Sequence, residues 1–113
     1  MPCVLVADDS RPFAEILRAV LEDAGFDVVT AYSGLAAVAA VENNDVSAVV
    51  LDVLMPGMSG DAVAQRLRRV DPSLPVILMT GGDQAFAAAA GVPVLRKPFQ
   101  HEELVAAVRR LVK

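Results

Sequence analysis

Three short apolar runs in this chain stop at acid or hydroxyl residues: Cys3–Ala7 at Asp8 and Asp9, Ala48–Leu51 at Asp52, and Val76–Met79 at Thr80. A fourth, Val92–Leu95, leads through Arg96 to Lys97. Unbroken runs of this length suit parallel strands covered by helices on both faces. If the runs are neighbouring parallel strands, their carboxyl ends share one sheet edge, where open α/β sheets bind ligands. Three carboxylates, one hydroxyl and one amine, far apart along the chain, then meet in a single crevice.

The segments between the runs read as helices. Ser10 is placed to cap a helix whose Phe13, Ile16, Leu17, Val20 and Leu21 follow helical spacing, with Glu15, Arg18 and Glu22 opposite and Gly25 as the stop. Phe26–Ala31 is a further strand, and Ser33-Gly34 opens a weakly amphipathic helix carrying Leu35, Val38 and Val41 as far as Asn43-Asn44. The third strand is expected over Ser47–Leu51. A loop, Met55 to Gly60, precedes a helix with Val63, Leu67 and Val70 inward, closed by Asp71-Pro72. The fourth strand, Pro75–Met79, leads to Gly81-Gly82 and a short alanine-rich helix over Gln84–Ala90 that Gly91 ends. After the fifth strand, a last helix from about Gln100 places Leu104, Val105, Val108, Leu111 and Val112 on its apolar side. Five strands alternating with five helices predict one parallel sheet between two helical layers, as a single domain over residues 1–113.

Composition narrows the function classes. Although 55% of the 113 residues are hydrophobic, no apolar stretch reaches the roughly 18 residues of a membrane span. The start has no basic segment ahead of an apolar one, so a cytoplasmic location is expected. Cys3, the single cysteine, leaves no internal disulfide or cysteine metal cluster, and reads as a small buried strand residue. A net charge of −4 gives no electrostatic footprint for direct nucleic-acid binding. Met55, Met58 and Met79 read as packing residues, His101 as an exposed first-turn residue, and Phe86 and Phe99 as core or interface anchors.

Carboxylates held together repel by roughly 4 kcal/mol per pair at about 4 Å and an effective dielectric near 20, so they raise a pKa or recruit a cation. An all-oxygen site with room for water suits Mg²⁺ or Mn²⁺, and no His or Cys is placed to favour zinc.

Asp8-Asp9, the stretch Leu51-Asp52-Val53-Leu54-Met55-Pro56-Gly57-Met58-Ser59-Gly60, Thr80 followed by Gly81, and Lys97-Pro98-Phe99 together resemble the receiver domain of bacterial two-component response regulators. The resemblance covers essentially the whole chain and implies the flavodoxin-like doubly wound fold with strand order 2-1-3-4-5, for which a protein of this family is itself a standard example. It implies that Asp52 is the phosphoacceptor, a carboxylate being a competent nucleophile toward phosphorus. Asp9 and Asp52 are implied as direct metal ligands, Asp8 as acting partly through water, and the backbone carbonyl of Leu54 as completing the protein's contribution. Lys97, on a peptide to Pro98 that is cis in the family, offsets phosphoryl charge, and Thr80 reports the modification through its hydroxyl. Leu54 and Gly82 flank the line of water attack. The implied partners are a sensor histidine kinase or phosphotransfer protein and a downstream protein target or linked output or kinase domain. The implied role is a signalling module, with at most self-phosphorylation and self-dephosphorylation activity.

Two departures bear on the switch. Val94 stands where many receivers carry an aromatic residue, so an aromatic rotamer flip is not its signal. Thr80 and Lys97 are 17 positions apart, which shortens the fourth helix; its stretch Gln84–Ala90 carries no charge for ion-paired dimerisation. Other classes fit less well. A phosphotransferase of the haloacid dehalogenase type needs two aspartates separated by one residue, whereas Asp8 and Asp9 are adjacent. A flavodoxin-like cofactor carrier needs a phosphate-binding loop where this chain has an acid pair. An adaptor receiver that acts without phosphorylation is the remaining alternative.

Overall fold

The computed structural model describes residues 2–53, 55, 57–81 and 93–112. Along these the elements run β1 Cys3–Ala7, α1 Arg11–Asp23, β2 Asp27–Ala31, α2 Gly34–Asn43, β3 Ala48–Asp52, α3 Gly60–Val70, β4 Val76–Thr80, β5 Val94–Arg96 and α4 His101–Leu111. The five strands form one parallel sheet in the order β2-β1-β3-β4-β5, as expected. Four helices are seen among the described residues; the additional helix expected over 84–90 lies outside them. The strand boundaries fall within a residue or two of expectation, and the shifts matter at β3 and β4. Inter-strand pairing continues through Asp52 and Thr80, so both polar residues belong to the strands themselves.

Alternation along the strands divides the core in two. Leu5, Ala7, Val49, Leu51, Val76 and Leu78 pack with Ala37 and Val41 of α2 and Val63 and Leu67 of α3. Val4, Val6, Val50, Ile77 and Met79 pack with Leu17 and Leu21 of α1 and Leu104 and Val108 of α4. Each such leucine, isoleucine or methionine, fully withdrawn from water, contributes about 1.5–3 kcal/mol before chain entropy is charged. No helix among the described residues is long and apolar enough to cross a membrane.

Local signals set the helix ends. The Ser10 hydroxyl accepts the Phe13 N–H at 3.4 Å, and the Ser33 hydroxyl accepts the Ala36 N–H at 3.1 Å. At α4 the Glu103 carboxylate accepts the Gln100 N–H at 2.9 Å. After α1 the chain turns at Gly25, whose φ of 100° suits glycine.

Three inward assignments are corrected. Leu35 is 68% exposed, because Gly34, Ala37 and Val41 form the stripe of α2 that meets the sheet and α3. Ile16 is 50% exposed, at the edge of a stripe centred on Ala14, Leu17 and Leu21. Val70 is 43% exposed: it ends α3, and the chain turns away through Asp71–Leu74, so no further helical turn covers it.

Candidate phosphoacceptor and cation site

Register builds the site from separate strands. Pairing of Ala7 with Leu51 brings the following residues, Asp8 and Asp52, side by side on strands about 4.8 Å apart. Pairing of Thr80 with Arg96 places Lys97 one residue beyond, where its backbone N–H donates to the Thr80 carbonyl at 2.6 Å. Asp8 continues the alternation of Val4 and Val6, Asp52 that of Val50, and Lys97 that of Leu95, all toward the half of the core covered by α1 and α4.

The carboxylates of Asp8, Asp9 and Asp52 each offer an oxygen, and these oxygens lie within 4.8 Å of one another. The Lys97 Nζ sits 3.3 Å from Asp8 Oδ2 and 3.6 Å from Asp52 Oδ1. The other Asp8 oxygen accepts the Ser10 N–H at 2.9 Å. Asp8 and Asp52 are buried, at 1% and 7% exposure, whereas Asp9 is open to solvent. Among the described ion pairs, a single ammonium therefore serves a cluster of three acids. Mutual repulsion of three carboxylates packed this closely in a partly dry site favours uptake of a cation. The donor set is all oxygen and fits a hard ion such as Mg²⁺ or Mn²⁺, and the exposed Asp9 leaves a way in.

Thr80 is buried at the end of β4, and a Cβ placed on the adjacent Gly81 would meet nothing within 4 Å. The Lys97–Pro98 peptide is cis. Leu54 and Gly82 lie outside the described residues. Val94 sits in the edge strand β5 at 37% exposure. By helical spacing alone Phe13 is one more apolar residue of α1. In the structure its ring centroid lies 4.5 Å from the Lys97 Nζ, and Phe99 meets it edge-on at 6.2 Å and 62°. The available signal was its place in the first turn of the helix that follows the acid pair.

Residues 4–109 match the family model of the response regulator receiver domain. The chain is 39% identical to the probable transcriptional regulatory protein TcrX of Mycobacterium tuberculosis, over 97% of this chain and 49% of that protein. It is 38% identical to the response regulator MprA of Mycobacterium sp., over 97% of this chain and 50% of that one. The chain thus spans about half the length of the curated relatives it matches. Among solved structures, a response regulator receiver domain protein from Clostridium thermocellum superposes with a TM-score of 0.91 at 28% identity, covering 99% of this chain and 94% of that chain. The receiver domain of Francisella response regulator 1452 gives 0.90 at 30% identity, with 99% and 97% covered. With motif order, sheet topology and strand-end acids in agreement, this chain belongs to the receiver domain family of bacterial two-component response regulators.

Proposed function

We propose that residues 1–113 act as one phosphorylation-switched receiver unit, in which Asp52 accepts a phosphoryl group from the phosphohistidine of a sensor kinase or phosphotransfer protein. The observation that carries this reading is the Lys97 ammonium 3.6 Å from Asp52 Oδ1, within a cluster of three acids. An Asp52 oxygen attacks phosphorus, the O–P bond forms as the donor's N–P bond breaks, and the imidazole leaves with a proton. The product is an acyl phosphate carrying up to about two negative charges.

The chain's own residues prepare that step. β3 holds Asp52 as the last residue of a paired strand, which limits its motion before attack. Lys97 lies against both Asp8 and Asp52, positioned to meet a transferring phosphoryl oxygen. Asp9 and Asp52, with Asp8 in support and the Leu54 carbonyl, would hold Mg²⁺ or Mn²⁺; such an ion supplies charge neutralisation of phosphoryl oxygens. Thr80 carries the news outward. A charge-assisted hydrogen bond from its hydroxyl to the phosphoryl group, about 1.5–3 kcal/mol, shifts a balanced two-state segment tenfold or more. Its carbonyl already holds Lys97, so movement at Thr80 reaches the start of the β5–α4 connection, toward the protein target or linked output domain.

Incubation with acetyl phosphate and Mg²⁺, followed by intact mass spectrometry, tests the reading. One phosphoryl adduct is expected on the wild-type chain and none on Asp52→Asn. An adduct retained by Asp52→Asn refutes the assignment of the acceptor.

A further inference from the structure

We propose that Phe13 is a positioning residue for Lys97, its ring face holding the ammonium over the acid cluster by cation–π attraction. The inference rests on the reading that Asp52 accepts a phosphoryl group and Lys97 meets it. Among the described residues, the Lys97 Nζ lies 3.3 Å from Asp8 Oδ2, 3.6 Å from Asp52 Oδ1 and 4.5 Å from the Phe13 ring centroid. The ring distance is well inside the roughly 6 Å within which an aromatic quadrupole attracts a cation. Lys97 is only 28% exposed, so water screens the attraction less than on an open surface.

The ring is itself fixed. Phe13 lies in the first turn of α1, and the Ser10 hydroxyl accepts its backbone N–H. Phe99, two residues after Lys97, meets it edge-on. The Lys97–Phe99 segment thus engages one ring twice, once with its amine and once with the ring of Phe99. A lysine carries a flexible four-carbon stem, and holding its charge in one place costs side-chain entropy. The two carboxylates alone are an anchor that changes when Asp52 is modified or when the acids engage another cation. The ring's attraction is independent of the charge those acids carry, so it keeps the amine in reach through the whole cycle.

The test compares Phe13→Leu, Phe13→Tyr, Phe13→Trp and ring-fluorinated phenylalanines at position 13, each with acetyl phosphate and Mg²⁺, in wild-type and Lys97→Ala backgrounds. Phe13→Leu is expected to slow phosphorylation about threefold to tenfold, Tyr and Trp to stay within about twofold, and fluorination to slow it stepwise while preserving shape. All of these differences are expected to vanish in Lys97→Ala. Equal rates for Leu, fluorinated and native rings overturn the proposal, as does slowing that persists without Lys97.

Because Lys97 and Lys113 are the only lysines, protein carrying ¹³C-lysine shows just two sets of side-chain signals. The Lys97 Hε protons are expected upfield from the ring current and to lose that shift in Phe13→Leu. An unshifted Lys97 overturns the geometry. A wild-type chain that takes up no phosphoryl group sinks the functional reading instead, and the ring-current arm still decides whether the ring holds the amine.

Discussion

Gly34, the first residue of α2, sits where the helix crosses α3 and the loop that follows Asp52. A Cβ added there would come 2.8 Å from Val63 Cγ2, 3.2 Å from Met58 Cβ and 3.3 Å from Met58 Sδ. Val63 is fully buried and, being β-branched, has little rotamer freedom with which to yield. Gly34→Ala is therefore overpacked. Such insertions cost about 1–3 kcal/mol, against a gain of about 0.5–1 kcal/mol from the reduced freedom of the unfolded chain. The difference spans about 0–2.5 kcal/mol and is centred on a net loss of about 1 kcal/mol. With roughly 2.1 cal/mol/K of unfolding entropy per residue over 113 residues, each kcal/mol lowers Tm by about 4 °C. Urea titration should show a lower midpoint with unchanged slope. The double variant with Val63→Ala should be more stable than the sum of the single effects by about 0.5–1 kcal/mol, since the shortened side chain removes the clash. A Gly34→Ala protein as stable as wild type, or an additive cycle, refutes the reasoning.

Two further outcomes follow from the charges. Asp9→Asn removes one exposed acid from the cluster while leaving the Lys97 ion pairs with Asp8 and Asp52 intact. It should raise stability in EDTA by about 1 kcal/mol and reduce the Tm gain on adding Mg²⁺, both readable by thermal melts; an undiminished Mg²⁺ gain counts against Asp9 as a ligand. Cys3 is half-buried rather than fully buried; even so, burial raises its thiol pKa above the ordinary value, with the Asp27 and Asp45 carboxylates adding in the same sense. The folded state therefore holds the proton more tightly than the unfolded chain. Its contribution to stability is present below the unfolded pKa and lost as pH rises through the folded one. Alkylation at pH 8 should be slower than for a free thiol, and faster in urea; equal rates would contradict the shift.

The fold could be read from short apolar runs because a strand buried on both faces advertises itself locally, and Cys3–Ala7, Ala48–Leu51 and Val76–Met79 do so. Helix periods were legible as well, but periodicity identifies a stripe without saying which neighbour covers its margins. Leu35, Ile16 and Val70 lie on such margins and are exposed. The chemical inventory of the site was equally visible: Asp8, Asp9, Asp52, Thr80 and Lys97 each stand where an apolar run gives out or just beyond.

Nothing local states that Lys97 meets Asp8, 89 residues away, and Asp52 at once. That depends on strand order and register, which are set by how both faces of the sheet pack against helices rather than by the propensity of any one segment. The same holds for Phe13, whose spacing marks it as apolar but whose ring faces an amine contributed by the far end of the chain. The type of each side chain at the sheet edge is encoded point by point along the polypeptide. The distances that let those side chains act together arise from long-range packing, which no single stretch of residues contains.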